Sequence, residues 1–233
     1  MRYYISDLHF SHNHIEEVDH RGFSSTYEMN EYMIQQWNSR VTDKDEVYVL
    51  GDFSWAKGIE TWKILNQLNG QITLIEGNHD AFFLDDPEFV DSRLEEVTSY
   101  LEDVDGRKHV ILSHYPQPFY NHQFNTDEDG MPEWYMLYGH VHNTYDEYLL
   151  NQFINFASKQ KRENALNEIV HTPFHMINCF CVYSNYIPLT LNEWIELDQK
   201  RRDFINSKGN MNYQDWNELN KTIVELSKNG WSL

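Results

Sequence analysis

The stretch Arg2-Tyr3-Tyr4-Ile5-Ser6-Asp7-Leu8-His9 sets the reading of this chain: a short β-branched and aromatic run ends directly in two side chains that bind metals. Further along, four more apolar runs end the same way. They are Val49-Leu50-Gly51-Asp52, Leu74-Ile75-Glu76-Gly77-Asn78-His79-Asp80, Ile111-Leu112-Ser113-His114 and Leu137-Tyr138-Gly139-His140-Val141-His142. In open α/β sheets, ligands gather in the crevice beyond the carboxyl ends of the strands, so five separated segments can converge there.

Apolar runs at 2–6, 46–50, 71–76, 108–113, 134–138 and 174–183 read as strands. Helical patterns fall at 26–39 and 57–68, the second closed by Asn69-Gly70. This alternation implies a buried sheet with helices on its faces. Beyond residue 143 only two of the 12 histidines remain, and amphipathic stretches at 146–169 and 191–228 read as covering helices. The tail breaks at Asn206-Ser207-Lys208-Gly209-Asn210. We therefore expect one domain over 1–190 and a helical extension, 191–233, packed on it.

The spacing of the ligand blocks has a chemical reading. Asp7 and His9, like His140 and His142, lie two apart, and in extended backbone such pairs project to one side, where each pair can grip an ion. Glycines 51, 77 and 139 allow sharp turns and close backbone approach beside them. Asp52 is placed to bridge. Carboxylate and amide oxygens mixed with imidazole suit Mn, Fe or Zn, whereas an all-oxygen set would suggest Mg or Ca. Two such ions about 3.5 to 4 Å apart hold a bridging hydroxide as nucleophile and clamp phosphoryl oxygens. His79, with Asp80 next to it to orient the ring, would protonate the leaving alkoxide.

These blocks, Asp7-x-His9, Gly51-Asp52, Gly77-Asn78-His79-Asp80, His114 and Gly139-His140-x-His142, resemble the calcineurin-like metallophosphoesterase superfamily over residues 1 to about 190. The resemblance implies a four-layer αββα sandwich, two sheets face to face with helices outside. It implies Asp7, His9, Asp52 and His142 on one metal, and Asp52, Asn78, His114 and His140 on a second, with His79 as the catalytic histidine. Asp7-Leu8-His9-Phe10-Ser11-His12, Ser113-His114-Tyr115-Pro116 and Asn185-Tyr186-Ile187-Pro188 look like a bacterial and phage branch of predicted phosphohydrolases. After Asp52 the chain reads Phe53-Ser54-Trp55-Ala56-Lys57, without the Gly-Asp-x-Val-Asp-Arg-Gly phrase of protein Ser/Thr phosphatases, so their phosphate-gripping arginine is missing.

His12 and Asn78 are the candidates for contact with substrate phosphate, with Arg21 and Lys57 as the nearest basic residues. The segment 117–133 forms a rim whose aromatics either pack locally or stack on a leaving group. Cys179 and Cys181 read as buried small hydrophobes on one strand face. The net charge of -19, from 37 acidic and 18 basic residues, opposes a nucleic-acid partner. No apolar run reaches a membrane span, and no leader is visible at the first residues, so a cytoplasmic setting is expected. The sum is a dinuclear hydrolase of small phosphomonoesters or phosphodiesters. The alternatives are a nuclease, or a catalytically silent metal-binding scaffold of the kind this fold provides in the retromer coat.

Overall fold

A computed structural model describes residues 1–89 and 92–231 of the chain. The strands are β1 (Arg2–Ile5), β2 (Glu46–Val49), β3 (Gln71–Ile75), β4 (Leu94–Thr98), β5 (Tyr100–Asp105), β6 (Lys108–Ser113), β7 (Trp134–Tyr138), β8 (Lys161–Glu163), β9 (Ile169–His171) and β10 (Met176–Asn178). The helices are α1 (Ile15–Asp19), α2 (Thr26–Asn38), α3 (Gly58–Leu65), α4 (Ala81–Leu84), α5 (Tyr145–Ala157), α6 (Leu191–Ser207) and α7 (Tyr213–Lys228), with a 3-10 turn at Cys181–Ser184.

Two four-stranded sheets carry the fold, one in the order β1-β2-β3-β4 and the other β10-β7-β6-β5. The first is parallel throughout, so each connection must cross over, and α2 and α3 supply the first two crossovers. The second is mixed, parallel at β10-β7 and β7-β6 and antiparallel at β6-β5. Alternate residues divide its faces: Val110 and Leu112 join the core shared with the first sheet, while Ile111 packs with Met136, Tyr138 and Ile154 of α5. That division gives the expected layering of helices outside two sheets.

The two sheets meet along an edge as well as face to face. Ser6 donates its N–H to the Cys179 carbonyl and accepts the Cys181 N–H, stitching the end of β1 to the end of β10. Three indoles then fix the C-terminal helices and the segment after them: Trp194 donates to the Tyr4 carbonyl, Trp216 to Asn143 and Trp231 to Tyr183. A buried ion network adds to this, with Arg201 of α6 paired to Glu147 of α5 at 2.6 Å and Glu147 accepting from Tyr138 Oη.

Two expected elements differ, and two strands were not expected. The stretch 146–169 is helical only to Ala157 and then turns into the β8-β9 hairpin. The run 174–183 gives a three-residue strand and then the 3-10 turn, so Cys179 and Cys181 do not share a strand face, although both are buried. β4 and β5 were not anticipated, because their acidic, largely exposed residues lack an apolar run. The tail breaks into α6 and α7 where the glycine-containing segment lies, and its last two residues fall outside those described.

Candidate metal centre

The ligand blocks sit just past the C-terminal ends of β1, β2 and β3 in one sheet and β6 and β7 in the other, at the rim where the sheets open. The backbone there is unusual. Asp7 (φ 55°), His9 (φ 50°), Asp52 (φ 53°), His140 (φ 71°) and His142 (φ 48°) all lie in the left-handed region. For residues with a Cβ this costs on the order of 1–3 kcal/mol each and persists only where the surroundings enforce it. Asp7 and His9 thus point together through repeated left-handed corners, and the extended pleat expected from their spacing is absent. Hydrogen bonds from Asp7 N to Gly51 O and from His9 N to Asp52 O hold this path against the β2 loop.

One ligand atom from each of Asp7, His9, Asp52 and His142 lies within 4.8 Å of all the others. His9 Nε2 is 3.1 Å from His142 Nε2 and 3.4 Å from Asp52 Oδ2, and His142 Nε2 is 3.5 Å from Asp7 Oδ1. On the other side of Asp52, His114 Nε2 lies 3.5 Å from the same Oδ2 and 3.0 Å from Asn78 Oδ1, which is itself 2.8 Å from His140 Nδ1. An ion held at roughly 2.0–2.2 Å keeps neighbouring ligand atoms about 3.0–3.5 Å apart, so both groups have the right size. Asp52 Oδ2 belongs to both.

The chemistry of the donors fits cations in both places. His142 Nδ1 faces the Asp19 carboxylate at 2.7 Å and must donate to it, so in the neutral ring, the form that can ligate a cation, Nε2 carries a bare lone pair toward Asp7 Oδ1. His114 Nδ1 faces the Leu50 carbonyl at 2.8 Å and must likewise donate, leaving its Nε2 lone pair aimed at Asn78 Oδ1 and Asp52 Oδ2. Acceptors aimed at acceptors in a buried site repel one another, and a shared cation reverses the sign. His9 Nδ1 is also buried and unpartnered.

Burial, then the neighbouring His142, holds His9 well below the usual imidazole range. Burial also opposes charge on His142, but Asp19 and Asp7 outweigh it and raise that ring. Burial lifts the Asp52 carboxyl, and burial lowers His140.

A supporting layer fixes the loops. Asp19, at the end of α1, takes the His142 N–H on one oxygen and the Arg21 guanidinium on the other, at 2.8 and 3.0 Å. Arg21, fully buried, also donates to the carbonyls of Asp7 and Leu8 at 2.9 and 2.7 Å. It therefore braces a metal loop and cannot be the phosphate contact that its position in the sequence suggested. Asp80 behaves similarly: its oxygens accept the backbone N–H groups of Asp52, Phe53 and Gly77 at 2.8–2.9 Å. Its carboxylate holds the two ligand loops together, where it was expected to orient the His79 ring. Burial pushes its pKa up to about 6 despite those bonds. A Cβ on Gly51 would collide with the His114 ring, and one on Gly77 with Asp52, which is why both positions are glycine.

His79 stands at the edge of the centre, half-exposed, with Nε2 4.0 Å from Asp52 Oδ2 and its backbone N–H donating to Asp52 Oδ1 at 2.9 Å. His12 lies beside it across Trp55, whose ring is 4.3 Å from His12 and 4.5 Å from His79. The His14 N–H donates to His12 Nδ1, so the neutral ring presents an Nε2–H donor. Lys57 is exposed at the start of α3, with no ion pair among the described residues. In segment 117–133, Phe119 packs on Phe153 and Phe174, and Phe124 lies under Arg162, which is local packing.

Sequence reasoning missed Asp19 and Trp55, and it gave Arg21 a different role. An Asp-x-Arg soon after the first block and an indole three residues after Asp52 were the available signals, but neither has a spacing that announces a role.

Residues 2–156 match the calcineurin-like phosphoesterase superfamily domain. Over 201 residues the chain is 35% identical to the uncharacterized protein MJ1445 of Methanocaldococcus jannaschii, covering 85% of this chain and 91% of that one. Among solved structures, the protein of unknown function AQ665 from Aquifex aeolicus has a similar fold, with a TM-score of 0.56 and 22% identity over 84% of this chain and 98% of that chain.

Proposed function

Because this chain belongs to the calcineurin-like phosphoesterase superfamily, we propose that it hydrolyses small phosphoesters at a centre of two divalent ions that share Asp52. The observation that carries this reading is the convergence of lone pairs on both sides of Asp52 Oδ2, with His9 and His142 on one side and His114 and Asn78 on the other. Asp7, His9, Asp52 and His142 would hold one ion, and Asp52, Asn78, His114 and His140 the second. Mn is the metal of choice in vitro, with Fe or Zn also compatible with the donor set. When bound, such a pair activates water at neutral pH and neutralises charge on a phosphoryl group.

The chain's own residues do the rest. Asp52, Asp80 and the glycines keep the loops in register, so the ligands meet without rearrangement. His79 Nε2, the accessible imidazole nitrogen beside Asp52, passes a proton to the departing alkoxide. The His12 Nε2–H and the Asn78 amide would donate to phosphoryl oxygens. The overall charge of -19 favours small esters over polynucleotides, whose backbone such a field repels.

Mn-supplemented assays on p-nitrophenyl phosphate and bis-p-nitrophenyl phosphate test the proposal. The wild type should turn over at least one ester, and His79→Ala should lose about 10²–10⁴-fold in kcat while keeping its metal. Full metal loading with no turnover of either ester would favour the scaffold.

A further inference from the structure

Trp55 is the most exposed of the seven tryptophans, at 37%, whereas Trp37, Trp194 and Trp216 are fully buried. Its backbone is nonetheless fixed: its N–H donates to the Phe10 carbonyl at 2.8 Å, and neighbouring Ser54 pairs with Phe10 in a parallel bridge. The indole contacts His12 and His79, centroids 4.3 and 4.5 Å away, and its centroid is 6.3 Å from that of His9. Phe82, 51% exposed, extends the same surface with its ring inclined only 23° to the indole. Across the centre, Tyr115, 47% exposed, stands edge-on against His114 and His140. Trp55 is less buried than the core tryptophans, and a rigid indole at the edge of the centre offers flat apolar area on which a planar group can stack.

We propose that Trp55, extended by Phe82, is the stacking platform for the base of a mononucleotide ester whose phosphate lies at the metal centre. This rests on the phosphoesterase reading for the position of the phosphate, while the platform itself rests on the rings. An indole accepts any base on its π-face, so the platform selects nucleotides over sugar phosphates without selecting one base. The net charge of -19 disfavours longer, more highly charged polynucleotides.

Calorimetric titration of the Mn-loaded protein with AMP and with ribose 5-phosphate separates ring recognition from phosphate recognition. The wild type should bind AMP roughly 5- to 150-fold more tightly than ribose 5-phosphate, the range that stacking one base supplies. Trp55→Ala should bring that ratio close to one, Trp55→Phe should keep part of it, and Phe82→Ala should lower it less than Trp55→Ala. Equal affinity for the two ligands in the wild type, or an unchanged ratio in Trp55→Ala, overturns the platform. Hydrolysis assayed in parallel keeps the two claims apart. A ring preference without turnover of any phosphoester retains the platform and removes the phosphoesterase reading, and turnover without ring preference does the reverse.

Discussion

His142 Nδ1 lies 2.7 Å from Asp19 Oδ1, joining two residues 123 positions apart in the chain, and this contact fixes which nitrogen of His142 faces the metal centre. A carboxylate behind a ligating imidazole sets its tautomer and raises its basicity. Asp19→Asn should therefore weaken metal binding about 10- to 100-fold with the fold intact, measured by competition with a chelating dye. Unchanged affinity would mean that His142 does not depend on Asp19.

Arg21 is the partner that lets Asp19 remain charged without contact with solvent. Burial and the Arg21 and His142 charges compete on Asp19, and the partners win, holding its carboxyl below the usual range. Arg21→Met leaves that charge with His142 as its remaining partner and should cost up to about 3–5 kcal/mol in urea denaturation. Asp19→Asn combined with Arg21→Met should cost less than the sum of the two, as coupled pairs do. Strict additivity would show that they act independently.

The C-terminal helices give a pH-dependent prediction. Thr190 and Glu193 form a capping box at the start of α6, and Glu193 also pairs with Arg40 of the loop after α2. Burial raises the Glu193 pKa, but the Thr190 and Arg40 hydrogen bonds outweigh it and leave it below the ordinary value. A depressed carboxylate stabilises fully above its unfolded pKa of about 4.3, and the contribution disappears as pH falls through the folded value. Glu193→Gln should thus lower stability at pH 7 by about 1 kcal/mol or less, because the group is part-exposed, and match the wild type near pH 3. A deficit that persists at pH 3 would point to packing instead.

The convergence of the ligand blocks was legible because each of Asp7, Asp52, Asn78, His114 and His140 follows an apolar run, and runs of that kind reveal strands in a sequence. Their left-handed backbone was not, since φ at Asp7 or His142 depends on the loops packed around it. Asp19 escaped, and Arg21 and Asp80 were given other roles, for a related reason: they act on partners that only the tertiary fold brings near. The acidic strands β4 and β5 lie at sheet edges, where an apolar run is not required and the pattern used for the other strands fails. The hairpin after α5 was lost because charged and apolar residues at 161–171 fit helix and strand spacing equally well.

Elemental analysis of the wild type beside Asp52→Asn tests the shared ligand most directly. Wild-type protein refolded or dialysed with Mn should carry two ions per chain, and Asp52→Asn should lose tight binding at both positions because Asp52 Oδ2 faces both groups of ligands. Two ions retained in Asp52→Asn, or no more than one in the wild type at saturating Mn, would contradict the two-ion centre.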